Sequence, residues 1–375
     1  MKKVLYLMPS AFPGGAERAT MRMLAAHPLS AFNRGVVFFD DGPLVGEARE
    51  LGVATHLLTA PPRLSRPWTI YQAASECAAL VTAGRYCLVH SCMSYTHLVG
   101  GLAASMAGVP AVLFQHGPVG SWTDGAATMV RCDHILVAST FMSQQQRQRS
   151  WRERHVSITP YSVDLSIAVG ERAPLRAMVS AKHDIPPDAF VIGLLARFDP
   201  WKGIDFALRA LAPLLRQRQR VRLMIVGGQY RHFYPGYGDR LRRIAEEEGI
   251  LEQVIFAGFQ LDVRPYYARL DALLHASIQE EPFGLTIVEG MAAEVPVVAA
   301  DGGGPREIVA DGIDGLLYEP ANEAALRAAV MRLLDEPGLI ARLVSAGAAK
   351  VEARYRAPTM MASLAAVYGQ LCTSA

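Results

Sequence analysis

The chain is predicted to be an α/β protein made of two doubly wound, Rossmann-like domains, and three observations predict it. Short apolar runs rich in β-branched residues alternate with helix-length segments along the chain, the pattern of parallel strands covered on both faces. The same alternation occurs twice, on either side of a proline-dotted stretch, Leu165–Asp188. With 375 residues, 51% hydrophobic and 19% charged, the chain has material for about two domains with a core each.

The first series opens with Val4–Met8, an apolar run that leads through Pro9-Ser10 into FPGGAE and the helical segment Ala16–Ala26. A strand, the glycines Gly14 and Gly15 and a helix start are the parts of a phosphate-approaching loop, and equally of a plain tight turn. Strand-like runs follow at Gly35–Phe39, Val53–Leu58, Tyr86–His90, Val109–Gln115 and Ile135–Ala138, with helical segments at Trp68–Ala83 and Thr96–Ala107. A last short strand falls within Val156–Asp164. The second series runs through Phe190–Leu195, Val221–Val226, Val254–Ala257, Ala272–His275, Val295–Ala299 and Gly315–Leu317. Its helices lie at Ile204–Leu215, Asp239–Glu248, Leu285–Ala293 and Glu323–Leu334. The predicted domains are 1–168 and 169–356, facing each other across a cleft, with 357–375 a terminal helix free to cross back to the first domain.

Composition excludes several classes. A net charge of +2 argues against a dedicated nucleic-acid binder. No apolar run approaches the ~18 residues of a membrane span, and Val4–Met8 is shorter than the roughly 7–15 residues of a secretory core, so a cytoplasmic protein is expected. Five cysteines without a C-x-x-C point to reduced thiols, with Cys87 and Cys92 as small core residues. With no H-E-x-x-H and no Asp-x-Asp, neither a metal nor another cofactor is expected. G-x-S-x-G and the P-loop are absent too. Arg147–Arg154 and Arg216–Arg222 are most simply solvated faces, although the first holds Trp151 and leaves a peripheral contact with the inner membrane surface open.

The chemistry concentrates in Glu280–Val309, EEPFGLTIVEGMAAEVPVVAADGGGPREIV. It reads as loop, helix, strand, glycine turn, helix, with Glu281 and Glu289 eight positions apart. Amides at a helix start bind anions, and a carboxylate two turns on can take sugar hydroxyls, which together suggest a nucleotide-sugar site. Arg197 and Lys202 follow the strand Phe190–Leu195 and could clamp a diphosphate, by planar fork and point charge respectively; the alternative is two solvated loop charges. His116, His90 and His275 each end or follow a strand, and position alone does not choose among them.

GGAE, RFDPWKG, EPFGLTIVE with its E-x7-E spacing, and GGGPREIV followed by DGIDGLLYEP occur in this order. As a set they resemble the retaining glycosyltransferases of family 4, which have the GT-B fold. The resemblance implies that Arg197 and Lys202 bind the donor diphosphate, Glu289 the ribose, and Glu281 the sugar hydroxyls, beside the amides of Phe283, Gly284 and Leu285. It places Gly14 and Gly15 against the phosphates and His116 beside the transferred sugar; the base is expected near Gly258-Phe259-Gln260, where backbone groups could read it. Three departures stand out: Gly290 for the usual alanine, Glu294 for glycine, and Tyr161-Ser162 for Asn-Gly. The expected reaction is front-face transfer from a nucleotide sugar, UDP slightly favoured, to an acceptor sugar, glycolipid or small molecule, in polysaccharide or glycoconjugate synthesis. The alternatives are an epimerase or phosphorylase of the same fold, or a non-catalytic nucleotide-sugar binder.

Overall fold

The computed structural model describes residues 2–26, 32–165, 167–168, 170–229 and 234–373. The chain divides into two compact units, residues 1–162 with 354–375, and residues 163–353.

In the first unit the strands are β1 (Lys2–Met8), β2 (Phe32–Phe38), β3 (Ala54–Leu57), β4 (Leu88–Cys92), β5 (Ala111–Gln115), β6 (His134–Val137) and β7 (Val156–Ile158). They form one parallel sheet in the order β3-β2-β1-β4-β5-β6-β7. β4 and β5 are buried throughout, because helices cover both faces of the sheet. The terminal helix Ala357–Thr373 packs on this unit, where Tyr368 Oη lies 3.0 Å from Tyr6 Oη and 2.6 Å from His90 Nδ1. His90 therefore sits inside β4, fully buried, and not at a strand end.

In the second unit the strands are β8 (Phe190–Leu195), β9 (Val221–Val226), β10 (Val254–Gly258), β11 (Ala272–His275), β12 (Val297–Ala300) and β13 (Leu316–Tyr318). Their order is β10-β9-β8-β11-β12-β13, again all parallel. The helix Ile204–Gln217 shows why these segments fold as they do. Its apolar residues recur at helical spacing, and Ile204, Ala207, Leu208, Leu211, Leu214 and Leu215 are all buried in the core beneath it.

The stretch Leu165–Asp188 is less irregular than its prolines suggest. Ser166 and Val169, beside the predicted boundary, lie outside the described residues, but Arg172–Lys182 is a helix. Pro174 is tolerated there because it stands in the first turn, where the amide has no intrahelical acceptor.

Candidate active site

Strand order reverses between β8 and β11, so the loops leaving their carboxyl ends diverge around the crevice where open α/β sheets bind ligands. The loop after β8 carries Arg197 and Lys202, and the loop after β11 carries Ser277 to Glu281. Pro200–Lys202 is one turn of 3-10 helix closed by Gly203 at φ 67. A Cβ at Gly203 would come within 2.0 Å of Ala276 O, so only glycine lets the two loops touch. A backbone bond from Ile278 N to Trp201 O at 2.9 Å ties them together.

That contact brings Lys202 to Glu281. Lys202 Nζ donates to Glu281 Oε2 at 2.5 Å and also stands 3.9 Å over the Trp201 ring. Ser277 Oγ donates to the same carboxylate oxygen at 3.1 Å, and His275 Nε2 lies 3.2 Å from it. Burial alone would push the Glu281 carboxyl up, but the Lys202 charge and the bond and charge of His275 outweigh it. Glu281 is thus held well below the usual carboxylate range, a buried anion near pH 7. His275, Ser277, Glu280, Glu281, Gly302 and Pro320 line a cavity of about 140 Å³ here.

The glycine turn after β12 packs on the backbone of Glu281. Gly304 N donates to Glu281 O at 2.8 Å, and a Cβ at Gly303, whose φ is 61, would meet that carbonyl at 2.4 Å. Gly284, at φ 103, opens the helix Leu285–Ala292, with Phe283 buried just before it. On that helix Glu289 is buried and its Oε2 accepts from Tyr267 Oη at 3.0 Å.

The other predicted residues are placed as follows. Arg197 is half exposed, its Nη2 3.9 Å from Asp199 Oδ2. Gly258 ends β10 at φ 73, and Phe259 beside it is exposed. In the first unit Gly14 caps the helix Gly15–Ala25. His116 follows β5 and is buried, stacked on Phe114 with ring centroids 4.2 Å apart. Its Nδ1 lies 2.9 Å from Tyr161 Oη and its Nε2 3.4 Å from Thr20 Oγ1. Burial pulls the imidazole down to about 3, so it is neutral near pH 7.

Of the predicted residues, the structure joins Lys202 to Glu281 directly and stacks the loop of Phe283 and Gly284 against Gly304. Sequence patterning did not point to Trp201, Ser277 or Tyr267, nor to what His275 touches. The signal available was the alternation His275-x-Ser277 just ahead of Glu281, which puts two polar side chains on one side of an extended segment. Tyr161 stood out only as a departure from a family pattern, yet it is the residue that holds His116. Among the described residues no cluster of three or more His, Cys, Asp or Glu side chains is gathered as a metal would need, and no helix is long and apolar enough to cross a membrane.

Residues 176–350 match the glycosyl transferases group 1 family and residues 13–167 match glycosyltransferase family 4. Over 312 residues the chain is 30% identical to the D-inositol 3-phosphate glycosyltransferase of Streptomyces bingchenggensis, which covers 76% of this chain and 67% of that one. With D-inositol 3-phosphate glycosyltransferase 2 of Catenulispora acidiphila the identity is 31%, over 78% of this chain and 72% of the relative. Among solved structures, HepE (Alr3699) of Anabaena, in complex with UDP and glucose, superposes with a TM-score of 0.87 at 23% identity, covering 99% of this chain and 100% of HepE. The fold class is therefore GT-B, two Rossmann-like α/β units. The chain belongs to the family 4, group 1 glycosyltransferases, and it is an enzyme of that kind.

Proposed function

We propose that this enzyme moves a sugar from a nucleoside diphosphate sugar, with UDP as the nucleotide, to an acceptor hydroxyl with retention of configuration. The second unit takes the donor and the first the acceptor. The observation that carries the reading is the Lys202–Glu281 pair at the strand-order switch, whose buried carboxylate residue also lines a small cavity. An ionised carboxylate accepts hydrogen bonds from sugar hydroxyls, and an ammonium beside it balances a diphosphate. HepE, with UDP and glucose, supports the donor class. The relatives named for inositol phosphate make a polyol phosphate an acceptor to test beside lipid-linked sugars and polysaccharide precursors.

Retention by double displacement needs a carboxylate nucleophile. Glu281 is a poor one, since Oε2 already takes three partners and its basicity is depressed. Front-face transfer fits better. The bond from the anomeric carbon to the diphosphate oxygen breaks, the acceptor oxygen bonds to the same face, and its proton passes to the departing phosphate. Arg197 and Lys202 would stabilise the leaving charge without a divalent ion, each supplying about 3 kcal/mol at the transition state. Glu289 would take the ribose, with the base beside Gly258 and Phe259. The roles of His116, Gly14 and Gly15 rest on the family resemblance alone, as does peripheral contact of the Arg147–Arg154 face with a membrane.

Calorimetric titration with UDP, GDP and ADP should show tightest binding of UDP, and transfer from a UDP sugar should be indifferent to EDTA. Arg197→Ala and Lys202→Ala should each lower turnover by about 10²–10³. Near-normal turnover in both variants overturns the charge roles, and an inverted product by NMR overturns retention.

A further inference from the structure

We propose that His275 is a positioning residue for Glu281: together with Ser277 and Lys202 it occupies Oε2, so that Oε1 is the oxygen presented to a hydroxyl of the donor sugar. The inference deepens the transfer reading above and rests on it. Lys202 Nζ at 2.5 Å, Ser277 Oγ at 3.1 Å and His275 Nε2 at 3.2 Å all converge on Oε2, and among the described residues no hydrogen bond reaches Oε1. Three partners on one oxygen and none on the other fix the rotation of the carboxylate, not merely its charge.

The imidazole has a definite part in this. An ionised carboxylate only accepts, so a hydrogen bond to Glu281 requires a proton on Nε2, which also lies 3.3 Å from Ser277 Oγ. Nδ1 is buried and has no partner among the described residues. A buried polar atom left without a partner costs stability, and the strand positions before it are filled by Leu273 and Leu274. A side chain selected only to fill the core would be apolar here. The backbone is also anchored, since Tyr318 Oη donates to His275 O at 3.4 Å, which limits how far the ring can drift from Glu281.

The test separates sugar from nucleotide. In His275→Leu, calorimetry should show affinity for the UDP sugar falling about 10-fold or more, the range for a hydrogen bond to a charged group, while affinity for UDP itself stays within about twofold. His275→Gln, whose amide restores a donor near the Nε2 position, should recover most of the loss. Equal loss for UDP and the UDP sugar, or a Leu variant that binds both as wild type does, overturns the inference. If His275→Leu does not fold, Ser277→Ala is read in the same way, with the same split expected. If the wild type binds no UDP sugar, the transfer reading fails; a crystal structure of His275→Leu then decides the positioning claim, which falls if the Glu281 carboxylate has not moved.

Discussion

Both units wind a parallel sheet with the same reversal of strand order, yet the carboxyl ends of their central strands are furnished differently. In the second unit the loops after β8 and β11 gather a cation and a buried anion, Lys202 and Glu281. In the first, His116 after β5 is held by Tyr161, Thr20 and the Phe114 ring, and His90 and His97 are fully buried nearby in sequence. Burial lowers all three imidazoles, His116 to about 3, His97 to about 4 and His90 well below its ordinary value. The second unit sets an ion pair here, while the first surrounds its neutral imidazoles with uncharged partners and holds a nearby buried carboxylate, Asp124, by hydrogen bonds from Ser94 and Gln115. A shared winding order fixes where a site lies on a sheet; it does not fix the electrostatics built there.

The largest effect expected from this contrast is on the charged side. Lys202→Ala removes the cation beside a buried carboxylate and should destabilise the enzyme by about 3 kcal/mol in urea unfolding, because the anion is left partly uncompensated. The double variant Lys202→Met/Glu281→Gln should regain most of that stability while staying inactive. If the single variant is as stable as wild type, the second unit does not depend on its charge pair and the contrast collapses.

An intermediate effect is expected on the neutral side. The unfolded imidazoles titrate near 6.5, whereas the folded ones stay neutral until far lower. The depressed folded values mean that their stabilisation is complete above pH 6.5 and is lost as pH falls toward 4 and 3. Between pH 6 and 4.5, His97→Leu should therefore flatten the decline in unfolding free energy by about 1.4 kcal/mol per pH unit. An unchanged slope would show that His97 is not held neutral by burial.

The smallest effect concerns the turn that ends the helix Leu285–Ala292. Glu294, just past the helix Leu285–Ala292, stands at φ 55, a left-handed conformation that glycine adopts at lower cost. Its contact with Arg172 is long, 4.0 Å, and exposed, so little is lost with the side chain. Glu294→Gly should raise stability by about 1 kcal/mol or less, read as a small upward shift in Tm with donor affinity unchanged. A fall in Tm would mean that the carboxylate is worth more than the backbone strain.

Much of this is legible in the amino-acid sequence. The bounds Phe190–Leu195, Val221–Val226 and Ala272–His275 are those of the structure, because a parallel strand covered on both faces is apolar over most of its length. The helix Arg172–Lys182 was hidden by Pro174 and by its single fully buried residue, Val179. Gly290 was visible only as a departure from family usage; the structure shows that a Cβ there would come within 2.5 Å of Leu273.

From residue order alone came the alternating strand and helix pattern, the two parallel sheets, and the identity of Lys202 and Glu281 as the residues to watch, since periodicity and glycine turns are local properties of a chain. The tertiary structure alone decided that these two side chains, 79 positions apart, share one carboxylate oxygen with His275 and Ser277, and that Tyr161 holds His116. Such contacts depend on which strands become neighbours and how closely two loops approach. That is set by packing across the whole sheet, and no short window of sequence contains it.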